Sequence, residues 1–227
     1  GINYYLYAIF ALFKIINLKT ELVVTRNYFL VFLCNIFKIK SILEIHHDIT
    51  IEGRIVKFLV KNTNYLNSKN LQKIIAITHA VKKLLMRKYK IKPNKIDVLP
   101  SGSSIKSKFI FREKNKLDIG YFGSLSESKG IQIILKLSKI DKNNNYWIFG
   151  GSKNQVDMLN KKNAIKNLKV SSYIPYKKMK DQMKKMDILL LPYLKEVKSA
   201  GEVDNIANYT SPLKLFDYLA CGKLILA

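Results

Sequence analysis

Short apolar segments alternate with amphipathic helical ones along the whole chain, and this alternation constrains the fold more than any other feature. Glu21 to Thr25, Ser41 to Ile45, Lys73 to Ile77 and Lys95 to Leu99 read as strands. Between them, residues near 3–18, 28–37 and 52–66 read as helices, and Thr78 caps a basic helix to about Lys90. Further strands near 117–122, 145–149, 168–173 and 187–191 alternate with helices near 129–139, 153–163 and 176–185. Strands joined by crossover helices pair in parallel, and those helices bury both faces of the sheet. The small polar run from Pro100 to Ser107 breaks the pattern and reads as a linker. The expected fold is therefore α/β, with two doubly wound Rossmann-like domains facing across a cleft. The domains are residues 1–102 and 103–227, and ligands bind outside the carboxyl ends of the strands.

Composition narrows the class. A chain of 227 residues with 48% hydrophobic content can bury a sizeable core and is globular rather than disordered. Cys34 and Cys221 have no framework spacing, which suits packing roles in a reducing compartment. The formal charge is +24, yet only Arg26, Arg54, Arg87 and Arg112 are arginines among 40 basic residues. Readers of nucleic acid favour the arginine fork, and these lysines are scattered over helix faces instead of forming one tract. Most of the charge reads as solvated surface, with attraction to anionic headgroups as its remaining consequence. Tyr4 to Phe13 and Tyr28 to Phe37 are apolar runs of ten residues, against the roughly 20 needed to span a bilayer. They read as buried helices or shallow membrane-surface contacts. His46-His47-Asp48 lacks a third ligand at sensible spacing, so no metal is expected.

Two loops carry the chemistry. Gly120-Tyr121-Phe122-Gly123-Ser124-Leu125-Ser126-Glu127-Ser128-Lys129-Gly130-Ile131 leaves a strand and opens a helix. Gly123 lets backbone approach a ligand closely, Ser126 or Ser128 can cap the helix, and Lys129 adds a positive charge at its mouth. The second block, from Asn208 to Ala227, reads as a loop, a helix and the start of a buried strand. Ser211 can cap that helix and Pro212 fits its first position, leaving N–H groups that suit a phosphate. Asp217, one and a half turns on, offers an acceptor for paired sugar hydroxyls.

These blocks resemble the family 4 glycosyltransferases, retaining sugar-nucleotide enzymes of the GT-B fold. Further matches are Thr25-Arg26-Asn27, Glu44-Ile45-His46, Ile75-Ala76-Ile77-Thr78 and Asp187-Ile188-Leu189-Leu190-Leu191-Pro192-Tyr193, so the resemblance covers nearly the whole chain. It implies a donor-binding second domain and an acceptor-side first domain. The donor diphosphate would lie against Gly123, Ser124 and Lys129 and against Tyr209, Ser211, Pro212, Leu213 and Lys214. The base would meet backbone near Ile174, and Asp217 would hold the ribose. His46 would orient the sugar or acceptor, though His47 and Asp48 adjoin it and the cleft-facing side chain is left open. Catalytic roles thus fall to His46, Lys129 and Asp217, with no metal and no cofactor beyond the nucleoside diphosphate sugar itself.

The chain departs from the family pattern in two places. Of the paired glutamates common in the last block, the second position holds Asp217 and the first falls on Tyr209. Ser124 stands where an arginine often accompanies Lys129, and Lys214 is the candidate replacement. The implied activity is transfer of a sugar, with retention, to a glycan or lipid-linked acceptor in cell-surface polysaccharide or glycolipid synthesis. The implied location is the cytoplasm, with peripheral contact at an anionic inner membrane face and no nucleic-acid partner. The competing readings are another nucleotide-sugar enzyme on this scaffold, such as an epimerase, and, less favoured, a basic nucleic-acid-binding protein. Gly1 opens the chain within a helix and Ala227 closes it within a strand-like run. A fragment cut at both ends is therefore expected, with sugar transfer expected only of a longer parent.

Overall fold

The computed structural model describes residues 2–106, 114–196, 207, 209 and 211–227, and for Lys162 its backbone alone. Ser107 of the expected linker, and Asn208 and Thr210 of the last block, lie outside the described residues. Two compact units divide the chain. One comprises residues up to Ser101 together with Tyr209 and Ser211, and the other runs from Gly102 with Pro212–Ala227.

The first unit is a parallel sheet of four strands: β1 (Leu22–Thr25), β2 (Lys40–Ile45), β3 (Leu71–Ala76) and β4 (Ile96–Val98), in that spatial order. Its helices are α1 (Ile2–Asn17), α2 (Tyr28–Ile36), α3 (Arg54–Asn62) and α4 (His79–Tyr89). The single helix expected over residues 52–66 is a shorter one: Gly53 and Thr63 bound α3, and short 3₁₀ turns at Ile49–Ile51 and Tyr65–Asn67 flank it. Leu43 and Ile45 of β2, Ile74 and Ala76 of β3, and Val81 and Leu85 of α4 are wholly or almost wholly buried in one core. Side-chain caps start two of these helices. Asn27 Oδ1 accepts from Leu30 N at 2.9 Å, and Thr78 Oγ1 from Val81 N at 3.2 Å, satisfying otherwise orphaned donors.

The second unit is a parallel sheet of five strands: β5 (Asp118–Phe122), β6 (Asn145–Phe149), β7 (Leu168–Ser171), β8 (Ile188–Leu190) and β9 (Leu224–Leu226). Their spatial order is β7-β6-β5-β8-β9. The helices are α5 (Ile131–Ile140), α6 (Lys153–Lys162), α7 (Tyr176–Lys185) and α8 (Leu213–Ala220). Alternation along β5 sends side chains to two cores. Tyr121 packs with Ile131, Ile134 and Leu135 of α5, while Phe122 packs with Met183 of α7 and Tyr218 of α8. Helices therefore cover both faces, which explains why β5 is buried almost throughout and the edge strands β7 and β9 are not. Strand order reverses between β5 and β8. Crossovers leaving a sheet on opposite faces open a crevice at such a reversal, outside the carboxyl ends of the two strands. Among the described residues, this reversal occurs in the second unit.

Candidate functional site

The end of β5 is held from both sides of the sheet. Phe122 N donates to the buried Tyr218 hydroxyl of α8 at 3.0 Å, and Phe122 stacks on Phe149 of β6, with centroids 4.8 Å apart. On the opposite face Tyr121 donates its hydroxyl to the Ser124 carbonyl at 2.9 Å, curling the loop back over the strand. Gly123 follows, and a Cβ there would run into the ammonium group of Lys214. Gly130 sits at φ 76° with no room for a Cβ against the Pro192 carbonyl beyond β8. Glycine at these two points lets Lys214 of α8 and the loop after β8 close on the loop after β5.

Lys214, in the first turn of α8, reaches across the end of β5. Its Nζ donates to the Tyr121 hydroxyl at 3.2 Å and lies 4.3 Å from that ring's centroid and 5.1 Å from that of Tyr193. Lys129 Nζ lies 4.8 Å from the same Tyr193 ring. Desolvation by the surrounding aromatic groups, reinforced by repulsion from Lys129, pulls the Lys214 ammonium down to about 7. Burial also lowers Lys129. Two partly desolvated cations thus converge at the mouth of the crevice.

The helices that start here do so without side-chain caps. α8 has Pro212 at its N-cap, and the expected Ser211 cap is not formed because the helix begins one residue later, at Leu213. The expected Ser126 or Ser128 cap is likewise not formed. Glu127–Lys129 make a 3₁₀ turn, and α5 begins at Ile131 behind Gly130, which takes a left-handed conformation. By contrast α6, in the same unit, carries a complete capping box between Ser152 and Gln155. Uncapped N–H groups with a partial positive charge behind them suit an anion.

Asp217 is buried one turn further along α8. Its Oδ1 accepts from the Ser103 hydroxyl at 2.6 Å and from the Tyr176 hydroxyl at 2.8 Å. Ile174 follows β7 and packs half-buried against the core that holds Tyr218. The structure thus gathers Gly123, Ser124, Lys129, Pro212, Leu213, Lys214 and Asp217 around one end of one sheet. The residues missing from the expected set are Tyr121, Tyr193, Ser103 and Tyr176. Tyr121 lies two residues before Gly123 and Tyr193 directly follows Pro192, so both carry a local signal. The last two have no local signal.

Tyr209 and Ser211 group with the first unit, where Tyr209 packs against the core and its carbonyl accepts from Thr78 Oγ1 at 3.4 Å. His46 also belongs there, just beyond β2. It contacts the Glu44 carboxylate through Nε2 and, with His47, Arg26, Tyr4 and Glu52, lines a cavity of about 420 Å³. Both histidines line that cavity. His47 Nδ1 lies 3.0 Å from the Asp48 carbonyl, and Asp48 itself is committed to Lys88 and Tyr89. Among the described residues, no group of three or more His, Cys, Asp or Glu could hold a metal, and no helix is long and apolar enough to cross a membrane.

No protein-family model and no curated protein matches the chain by sequence. Solved structures do match. A glycosyltransferase from Rickettsia africae ESF-5 is similar over 96% of this chain and 60% of its own, at 18% identity and a TM-score of 0.63. HepE of Anabaena, solved with UDP-glucose, is similar over 90% of this chain and 58% of its own, at 14% identity and a TM-score of 0.58. The lipopolysaccharide outer core galactosyltransferase WaaB is similar over 90% and 55%, at 14% identity and a TM-score of 0.60. The chain spans 55 to 60% of the length of these three solved chains. Its fold is that of the GT-B enzymes, two Rossmann-like parallel-sheet units.

Proposed function

We propose that the second unit binds a nucleoside diphosphate sugar, and that the chain belongs to a retaining glycosyltransferase. The observation that carries this reading is the convergence of Lys129 and Lys214 on one aromatic ring at the strand-order reversal, beside the uncapped start of α8. A diphosphate needs positive charge and unpaired donors where its leaving-group charge develops, and this corner supplies both. Lys129 and Lys214 would take the diphosphate oxygens, Asp217 the ribose hydroxyls and the backbone near Ile174 the base. HepE, with the same fold, is solved with UDP-glucose, which supports that class of donor.

The lysines would stabilise the departing diphosphate without a metal. Attack on the same face of the sugar, assisted by the leaving phosphate, would retain configuration. In the first unit, the cavity at His46 is the proposed acceptor side, for a glycan or lipid-linked acceptor in surface polysaccharide or glycolipid assembly. Peripheral contact with an anionic membrane belongs to the same reading.

The test is a titration of lysine variants. Lys129→Ala and Lys214→Ala should each lose about tenfold or more affinity for UDP or GDP, because a charge-assisted hydrogen bond contributes about 1.5–3 kcal/mol. The free nucleosides should be affected far less. Equal losses on nucleotide and nucleoside would place the lysines outside the diphosphate site.

A further inference from the structure

Lys129 and Lys214 face one ring from separate elements, at 4.8 and 5.1 Å from the Tyr193 centroid. Lys214 also lies 4.3 Å from the Tyr121 centroid and donates to that hydroxyl, whose own proton is committed to the Ser124 carbonyl. Among the described residues, the titratable groups facing Lys214 are Tyr121 from β5, Tyr193 from beyond β8 and Lys129 from the turn before α5. On α8 itself, Asp217 is engaged by Ser103 and Tyr176, and Glu127 in the neighbouring turn is exposed. No ion pair among the described residues includes either lysine. Two ammonium groups therefore share one aromatic ring, with no described carboxylate in an ion pair with either. Each charge raises the cost of protonating the other, and an anion between them offsets that cost.

We propose that this is a proton-coupled anion site, in which a nucleoside diphosphate draws one proton from solvent onto Lys214 Nζ as it binds, with Tyr193 the residue that positions both lysines. The proposal rests on the donor-binding reading above. The only bond change is a proton transfer: the Lys214 amine lone pair forms an N–H bond as the buffer acid gives up its proton. The tyrosine cage makes the coupling possible. It removes water from Lys214 and so disfavours its charged form until an anion compensates.

The position of Lys214, about 7 in the empty protein, sets the direction. Above that pH the empty site holds a neutral amine, and the anion must bring a proton with it. Affinity for the fully ionised diphosphate then falls as pH rises, by up to about tenfold per unit. The same depression acts on folding. Between about 7 and the ordinary lysine value the unfolded chain holds more protons than the folded one, so this group's contribution to stability rises with pH there.

The experiment is calorimetric titration of the chain with UDP, and with GDP in parallel, at about pH 8 in buffers of different ionisation heat. The number of protons exchanged is read from the slope. The expected result is roughly one proton taken up per nucleotide bound. Lys214→Arg, whose guanidinium stays charged, should still bind while uptake falls to roughly none. Tyr193→Leu should rehydrate Lys214 and bring uptake clearly below the wild-type value, a readout that a merely structural ring would not move. Nucleotide binding with no proton uptake by the wild-type chain would overturn this proposal and leave donor binding standing. Failure of both nucleotides to bind the folded chain would overturn both.

Discussion

At the scale of single residues, Asp217 has a structural role and, in the proposed reading, a ribose-binding one. Its Oδ1 ties Ser103 and Tyr176 to α8, so the carboxylate is a structural acceptor before any ligand arrives. Asp217→Ala removes the acceptor of both bonds, whose hydroxyls on exposed Tyr176 and half-buried Ser103 can turn to water. It should cost about 1 kcal/mol or a little more of stability in denaturant unfolding, with Asp217→Asn costing less because an acceptor oxygen remains. The ribose role is separable. If the carboxylate also holds the sugar hydroxyls, the alanine variant should lose markedly more affinity for UDP than for its dideoxyribose analogue. Matching losses would make Asp217 structural alone. Asp217 was legible in the sequence because a carboxylate at that offset on a helix is a local pattern. Its partners were not. They lie 114 and 41 residues away, and no periodicity encodes a contact of that range. Lys214 was legible as a charge near a helix start, but its desolvation comes from two tyrosines on other elements and required the fold.

Among the elements, strands and helices were legible because parallel α/β sequences repeat one pattern, and the observed order follows it. Two helix starts moved where the backbone leaves regular geometry. The first lies at Gly130, whose left-handed conformation delays α5, and the second at Pro212, which takes the N-cap of α8. Both shifts sit beside the candidate site, and both remove a serine cap expected from sequence. Another element shows a face that periodicity places but does not explain. On α1 the residues Ile2, Leu6, Ile9, Phe13 and Ile16 recur at helical spacing and are exposed, with Phe10 beside them and Lys14 Nζ 5.0 Å from the Phe10 ring. An apolar stripe rimmed by a cation suits the boundary of an anionic bilayer. The chain should therefore float with anionic vesicles and not with neutral ones, and added salt should weaken the association. Phe13→Asp should abolish it. Flotation indifferent to lipid charge would remove the membrane from the account.

For the whole molecule, the net charge of +24 describes a lysine-rich surface and does not by itself locate a site. A cavity of about 730 Å³ in the second unit illustrates the point. It is lined by Lys116, Lys139, Lys142 and Lys166 and lies at the amino ends of β5, β6 and β7, opposite the strand-order reversal. Charge and volume alone would place an anionic ligand there. In the proposed reading it lies at the other end, supported by the topology, the shared Tyr193 ring and the uncapped α8. Hydrogen–deuterium exchange with and without saturating UDP separates the two directly, because each end reports through its own amides. The account predicts new protection over residues 123–130 and 213–217, with residues 138–145 and 164–167 unchanged. Protection over 138–145 and 164–167 with none over 123–130 would contradict it.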